Sequence, residues 1–123
     1  MARIFLDTNI FIDIIHRKPE KNIRESLVGH IVYISPLSIA NFCYIYRIKT
    51  PNKIFSAQIR KFQRLALSAT ICEKALIGPT DDLEDNIQLH SAADAQCEYL
   101  LTEDKKLLNM KFFGDIQIQS KLI

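Results

Sequence analysis

Glycine is scarce in this sequence: Gly29, Gly78 and Gly114 are the only three in 123 residues. That excludes a phosphate-cradling P-loop and a dinucleotide-binding fingerprint, both of which need clustered glycines. No G-x-S-x-G elbow occurs, so serine-hydrolase chemistry has no support. Cysteine is equally sparse. Cys43, Cys72 and Cys97 are odd in number and widely spaced, with no C-x-x-C, which argues against a disulfide framework or a zinc site. Free buried thiols in a reducing cytosol are expected instead. His16, His30 and His90 are scattered and lack zinc spacing. No apolar run is long enough to span a bilayer. Asp7 and Asp13 interrupt the apolar start, so no signal peptide is expected and the expected location is cytoplasmic. The net charge of +2 permits a polyanionic partner without demanding one.

What is present is enough apolar material for a core. The chain is 48% hydrophobic and 24% charged, and its length suits one domain over residues 1–123. Arg3-Ile4-Phe5-Leu6 reads as a buried strand that stops at Asp7. Thr8 and Asn9 suit a helix start, with Ile10 to Ile15 helical. A short helix from Pro19 to about Val28 follows, closed by Gly29, and Ile31 to Ile34 forms the second strand. Ser35-Pro36 caps a helix whose expected inward stripe is Leu37, Ala40, Asn41, Tyr44, Ile45 and Ile48. Thr50-Pro51 opens another, with Ile54, Phe55, Ile59, Phe62 and Ala66 inward. Ala69 to Cys72 is expected as the third strand and Glu73 to Ile77 as a short helix. Thr80 to Asp82 caps a helix reaching about Gln96, packed through Leu89, Ala92 and Ala93. Tyr99 to Thr102 is the fourth strand, and Ile116 to Ile118 a fifth. Strands alternating with helices point to an α/β fold with a mainly parallel sheet.

Two of these strands end alike. Leu6-Asp7-Thr8 and Thr102-Glu103-Asp104 each place a carboxylate just past an apolar strand. In a parallel sheet such ends share one edge, where ligands bind at the switch in strand order. The acidic helix start Asp81-Asp82-Leu83-Glu84-Asp85 is a third contributor, with Asp82 and Asp85 three apart on one face. Carboxylates crowded together raise one another's pKa, and a hard cation such as Mg²⁺ or Mn²⁺ relieves the crowding. Taken singly, an acid after a strand is an ordinary turn residue. Acids in a first helical turn also favour the helix dipole. The case rests on their coincidence of position.

Leu6-Asp7-Thr8-Asn9 with Asp13, Ser35 to Asn41, Asp82 to Asp85, and Thr102-Glu103-Asp104 resemble, in order and spacing, the motifs of PIN domains. Glu84-Asp85-Asn86-Ile87-Gln88 is similar to the E-D-x-x-Q helix start of small bacterial members. The resemblance implies a three-layer α/β/α sandwich of four or five strands in the order 3-2-1-4-5. It implies a magnesium- or manganese-dependent ribonuclease with Asp7, Asp85 and Asp104 on the metal and Asp82 as an additional ligand. Thr8, Asn9 and Thr102 would be supporting hydrogen-bonders. Many relatives are toxins of toxin–antitoxin pairs, so RNA, an antitoxin protein and a homodimer are the implied partners. Asn41 departs from the pattern, because many PIN domains carry glutamate there. It would orient Asp7 or a metal-bound water, and it leaves open a second reading, a PIN-like module that holds RNA or protein without cutting. A phosphotransfer receiver also uses acids at strand ends, but no convincing partner lysine follows a late strand.

The basic residues Lys53, Arg60, Lys61 and Arg64, and Arg17, Lys18, Lys21 and Arg24, are candidates for phosphate contact, with a solvated face as the plain alternative. Tyr33, Tyr44, Tyr46 and Tyr99 are expected to pack in the core, as are Phe42-Cys43 and Phe112-Phe113.

Overall fold

Four short apolar runs become the strands that organise the fold. The computed structural model of the chain describes residues 1–17 and 22–122. Pro19, expected to open the second helix, and the cations Lys18 and Lys21 lie outside those residues. The elements in chain order are β1 (Arg3–Leu6), α1 (Thr8–Ile12) continuing into a π-helical turn (Asp13–Arg17), α2 (Asn22–Ser26), β2 (Ile31–Ile34), α3 (Pro36–Ile45), α4 (Lys53–Ile59), β3 (Gln63–Arg64), α5 (Ala69–Ile77), α6 (Leu83–Asp94), β4 (Tyr99–Leu101), α7 (Lys105–Met110), β5 (Phe112–Phe113) and β6 (Ile116–Gln119). Among the described residues no helix is long and apolar enough to cross a membrane.

The sheet runs β3-β2-β1-β4-β6-β5, parallel except for the terminal β5–β6 hairpin. The expected 3-2-1-4-5 order therefore holds with two corrections. The third strand is Gln63–Arg64, not Ala69 to Cys72, and Phe112–Phe113 adds an antiparallel edge beyond the Ile116 strand. Residues 69–72 open a helix because Ser68 accepts the Ile71 N–H at 3.1 Å and sets its first turn. Ile71 and Ala75 then face Ile87 of α6.

The strands alternate between two cores, as a sheet covered on both faces must. Ile4, Leu6 and Leu101 pack with Ile10, Phe11, Ile34, Phe42 and Ile59 on one side. Phe5 and Leu100 pack with Leu89, Ala92, Leu107 and Ile118 on the other. Helix α3 turns differently from its expected stripe. Ser38 and Phe42 are buried, with Ile39, Cys43 and Tyr46 beside them, whereas Ala40, Tyr44 and Ile45 face outward. The segment is apolar on nearly every side, so periodicity did not single out one face. Ile54, Ala66 and Ala93 are likewise exposed rather than inward, and Phe112 is exposed on its edge strand. All three cysteines are free; Cys97 is buried and its thiol is pushed up to about 12, chiefly by that burial.

Candidate active site

The register of the two central strands sets the site. Leu6 lies opposite Leu101, so Asp7 and Thr102 step off the sheet side by side. The Asp7 N–H donates to the Leu101 carbonyl at 3.0 Å, extending the ladder by one rung. The Thr102 hydroxyl donates to Asp7 Oδ2 at 2.7 Å and accepts the Asp104 N–H at 3.0 Å. One fully buried hydroxyl thus ties the two acidic strand ends together. Thr102→Val keeps the shape but leaves the buried carboxylate and amide short of a partner. It is expected to lower stability by about 1–3 kcal/mol. Urea unfolding reads this directly, and an unchanged midpoint would show that the hydroxyl contributes nothing.

Three acids also cap helices. Asp7 Oδ1 accepts the Thr8 N–H at 2.9 Å at the start of α1. Asp104 Oδ1 accepts the Lys106 and Leu107 N–H groups at 2.8 and 3.3 Å at the start of α7. Asp82 Oδ1 accepts the Asp85 N–H at 3.0 Å at the start of α6. Helix ends otherwise leave these donors unsatisfied.

Electrostatically the acids form one group. Burial pushes Asp7 above its ordinary value; the Thr102 hydroxyl, the Thr8 N–H and the Gln88 amide partly offset this, and Asp104 adds repulsion. Burial also dominates at Asp85, where repulsion from Asp82, Asp104, Asp7 and Glu84 helps push the carboxyl up to about 7. Glu84 is raised by burial and by Asp7 and Asp82, against a hydrogen bond from Asn41. Side chains from residues 7, 82, 84, 85 and 104 therefore feel one another's charge, although they come from three separate stretches of chain.

The other anticipated residues are distributed around this mouth. Thr8 is buried, with its hydroxyl 2.8 Å from Ser38 Oγ. Asn9 is exposed, on the Asp104 side of the site. Its carbonyl accepts from Arg17 at 3.0 Å, and Arg17 in turn pairs with the buried Asp13 at 2.8 Å. These three residues, with Glu103 and Asp104, line an open cavity of about 400 Å³. Asn41 is half-buried rather than on the buried stripe, and its amide donates to Glu84. Arg24 is committed to the Ile14 carbonyl at 3.0 Å, while Lys53, Arg60, Lys61 and Arg64 are exposed.

Ser38, Glu84 and Gln88 stood within the quoted motifs but were given no role at the site. Gln88 is fully buried and its Nε2 donates to Thr8 Oγ1 at 3.0 Å and Ser38 Oγ at 3.1 Å. Its position four residues after Glu84 was a usable signal, since i and i+4 share a helix face. Gln88 Oε1 is buried with no hydrogen-bond partner among the described residues.

The donor set is entirely oxygen, which suits Mg²⁺ or Mn²⁺. Among the described residues no three His, Cys, Asp or Glu side chains close into a ready-made cage. The mutually repelling acids and the orphaned Gln88 oxygen fit a hydrated cation that keeps several of its own waters, as Mg²⁺ does.

Acids at the ends of the adjacent parallel strands β1 and β4, in a sheet covered on both faces, mark this as an α/β domain with an acidic strand edge. The PIN domain family model matches residues 3–106, and the chain belongs to that family. Among solved structures, that of VapBC2 from Rickettsia felis bound to a DNA fragment from their promoter is similar at a TM-score of 0.66 and 14% identity, covering 94% of this chain and 96% of that one. The structure of FitAB bound to an IR36 DNA fragment is similar at a TM-score of 0.61 and 16% identity, covering 95% of this chain and 94% of that one. At such identities the likeness is one of fold. No curated protein sequence matches the chain significantly.

Proposed function

We propose that the protein is a divalent-metal-dependent ribonuclease that hydrolyses single-stranded RNA, its residues 1–123 acting as one domain. The observation that supports this reading is the buried Thr102 hydroxyl tying the two acidic strand ends, Asp7 and Asp104, together, with repulsion from both helping to raise the Asp85 carboxyl. These three carboxylates would hold Mg²⁺ or Mn²⁺, with Asp82 beside them. Bound there, such a cation makes water a nucleophile near neutral pH and offsets charge as the phosphodiester breaks. Thr102 holds Asp7 and the start of α7 in place, and Thr8, Ser38 and Gln88 form the floor. Asp7 and Asp85, both buried, present charge where little water competes for it.

Family membership supports a toxin of a toxin–antitoxin pair, working as a homodimer and held by an antitoxin protein. The fold likeness to VapBC2 and FitAB, each solved on DNA, supports a protein partner of that kind.

The test is cleavage of labelled single-stranded RNA with Mn²⁺, with Mn²⁺ plus chelator, and with Asp104→Asn. Cutting is expected only in the first, the variant falling by roughly 100-fold, as about 3 kcal/mol of lost charge stabilisation implies. Equal cutting in all three would sink the proposal.

A further inference from the structure

Arg17 is a cation set among acids. Of the five residues that line the cavity beside Asp104 it alone is positive; Asp13, Glu103 and Asp104 are acids and Asn9 is neutral. It ends the π-helical turn Asp13–Arg17, where the chain leaves the regular geometry of α1. Turns of that kind are rare and recur at functional sites. His16, one residue earlier, sits against the rings of Phe42 and Tyr46, with centroids 5.5 and 4.4 Å apart. The backbone that carries Arg17 is thereby anchored.

The guanidinium is held by one edge. Its Nε donates to Asp13 Oδ1 at 2.8 Å, and one terminal nitrogen donates to the Asn9 carbonyl at 3.0 Å, with a longer contact of 3.4 Å to the Asn9 amide oxygen. A guanidinium has five N–H groups in a rigid fork, so donors on its terminal nitrogens remain for a ligand. The Arg17 side chain is 40% exposed and that of Asp13 only 5%, so Arg17 forms the open face of the pair. Burying Asp13 requires a counter-ion. It does not require the open end of that pair to stand beside Asp104.

RNA brings a negative charge with every nucleotide to a mouth already crowded with carboxylates. A cation held by those acids offsets charge at the bond being cut. The neighbouring phosphate must still pass Glu103 and Asp104. A fixed guanidinium fork suits it, because two N–H groups can meet two phosphate oxygens. We propose that the cavity lined by Asn9, Arg17 and Asp104 is a subsite for a backbone phosphate next to the one cleaved, and that Arg17 binds it. Such a subsite rests on the ribonuclease reading above, and the experiment separates the two.

The probe is a labelled single-stranded RNA in which a neutral methylphosphonate, on a 2′-O-methyl nucleotide, replaces each linkage in turn. The same RNA with the 2′-O-methyl group alone is the reference. Cleavage in Mn²⁺ gives kcat and KM, and fluorescence anisotropy with Ca²⁺ in place of Mn²⁺ gives binding. The proteins are the wild type, Arg17→Gln and the double variant Asp13→Asn with Arg17→Gln, with urea midpoints as a check on folding. Arg17→Gln strands a buried carboxylate, whereas the double variant has none left to neutralise. In the wild type, one methylphosphonate beside the cleaved bond is expected to raise KM by on the order of 10–100-fold with little change in kcat, the usual weight of a charge-assisted hydrogen bond. Both variants should bind the reference RNA more weakly by a similar factor and be indifferent to that methylphosphonate. The slope of log affinity against log salt should become shallower by about 0.7, as for one phosphate contact on a single strand. A double variant that binds and cuts the reference RNA like the wild type would show that Arg17 serves Asp13 alone, and would overturn the subsite. So would variants as sensitive to the methylphosphonate as the wild type. RNA bound through Arg17 but never cut would remove the nuclease reading and leave a phosphate subsite standing. No RNA binding by the wild type would remove both.

Discussion

Replacing Asp85 by asparagine is expected to cut RNA cleavage by roughly 100-fold or more while making the metal-free protein more stable. The two effects have one cause. Asp85 is buried, and the charges acting on it are all carboxylates: Asp82, Asp104, Asp7 and Glu84. Without a cation its negative charge is a cost to the fold at pH 8, and asparagine removes the charge while keeping the shape. With a cation that same charge is what the proposed chemistry would use, and about 3 kcal/mol lost there is roughly two decades in rate. The α6 cap is untouched, because Asp82 accepts the backbone N–H of residue 85 and not its side chain. Urea unfolding in chelator at pH 8 and cleavage in Mn²⁺ give the two readouts. A variant that is less stable, or fully active, would show that Asp85 is not crowded in the way described.

The second large effect is a reversal of pH dependence by the metal. Asp85 rises from an ordinary 3.8 to about 7 on folding. Between those values the folded protein holds a proton that the unfolded chain releases. The stability from this group is therefore full below about 3.8 and is lost as pH climbs through about 7. Asp7 and Glu84, also raised, act in the same direction. In chelator the urea midpoint should fall from pH 5.5 to pH 8, and Asp85→Asn should flatten much of that slope. Mn²⁺ must displace the proton, so its apparent affinity should drop by up to roughly tenfold for each pH unit below 7. Stabilisation by Mn²⁺ should accordingly be larger at pH 8 than at pH 5.5. A midpoint that rises with pH in chelator, or an Mn²⁺ affinity flat across this range, would contradict the crowded-acid description.

How far the sequence could be read depended on what each segment buries. Strands β1, β2 and β4 are central and apolar, so they stand out, and the acids at the ends of β1 and β4 followed from them. Strand β3 is two exposed residues, Gln63 and Arg64, paired only by backbone to the Tyr33–Ile34 end of β2. No side-chain pattern marks such an edge. The more apolar stretch at 69–72 carried the signal expected of a strand and is instead the start of α5, since a short apolar run fits a buried helix equally well. The adjacency of the strand ends at Asp7 and Thr102 was legible because strand order confines it. The pairing of Asn41 with Glu84 was not, because it depends on the rotation of α3. Its apolar surface on nearly every side left that rotation undetermined until tertiary packing chose Ser38 and Phe42 as the inward residues.

Asp7, Asp82 and Asp104 each spend Oδ1 on the backbone at the start of a helix. Asparagine serves that same duty nearly as well as aspartate. A swap of oxygen for nitrogen at Asp82 or Asp104 would keep the cap and remove the charge, whereas at Asp7 it would also set an amide nitrogen against the Thr102 hydroxyl. At those two caps, fold and charge are therefore separable by a single codon change.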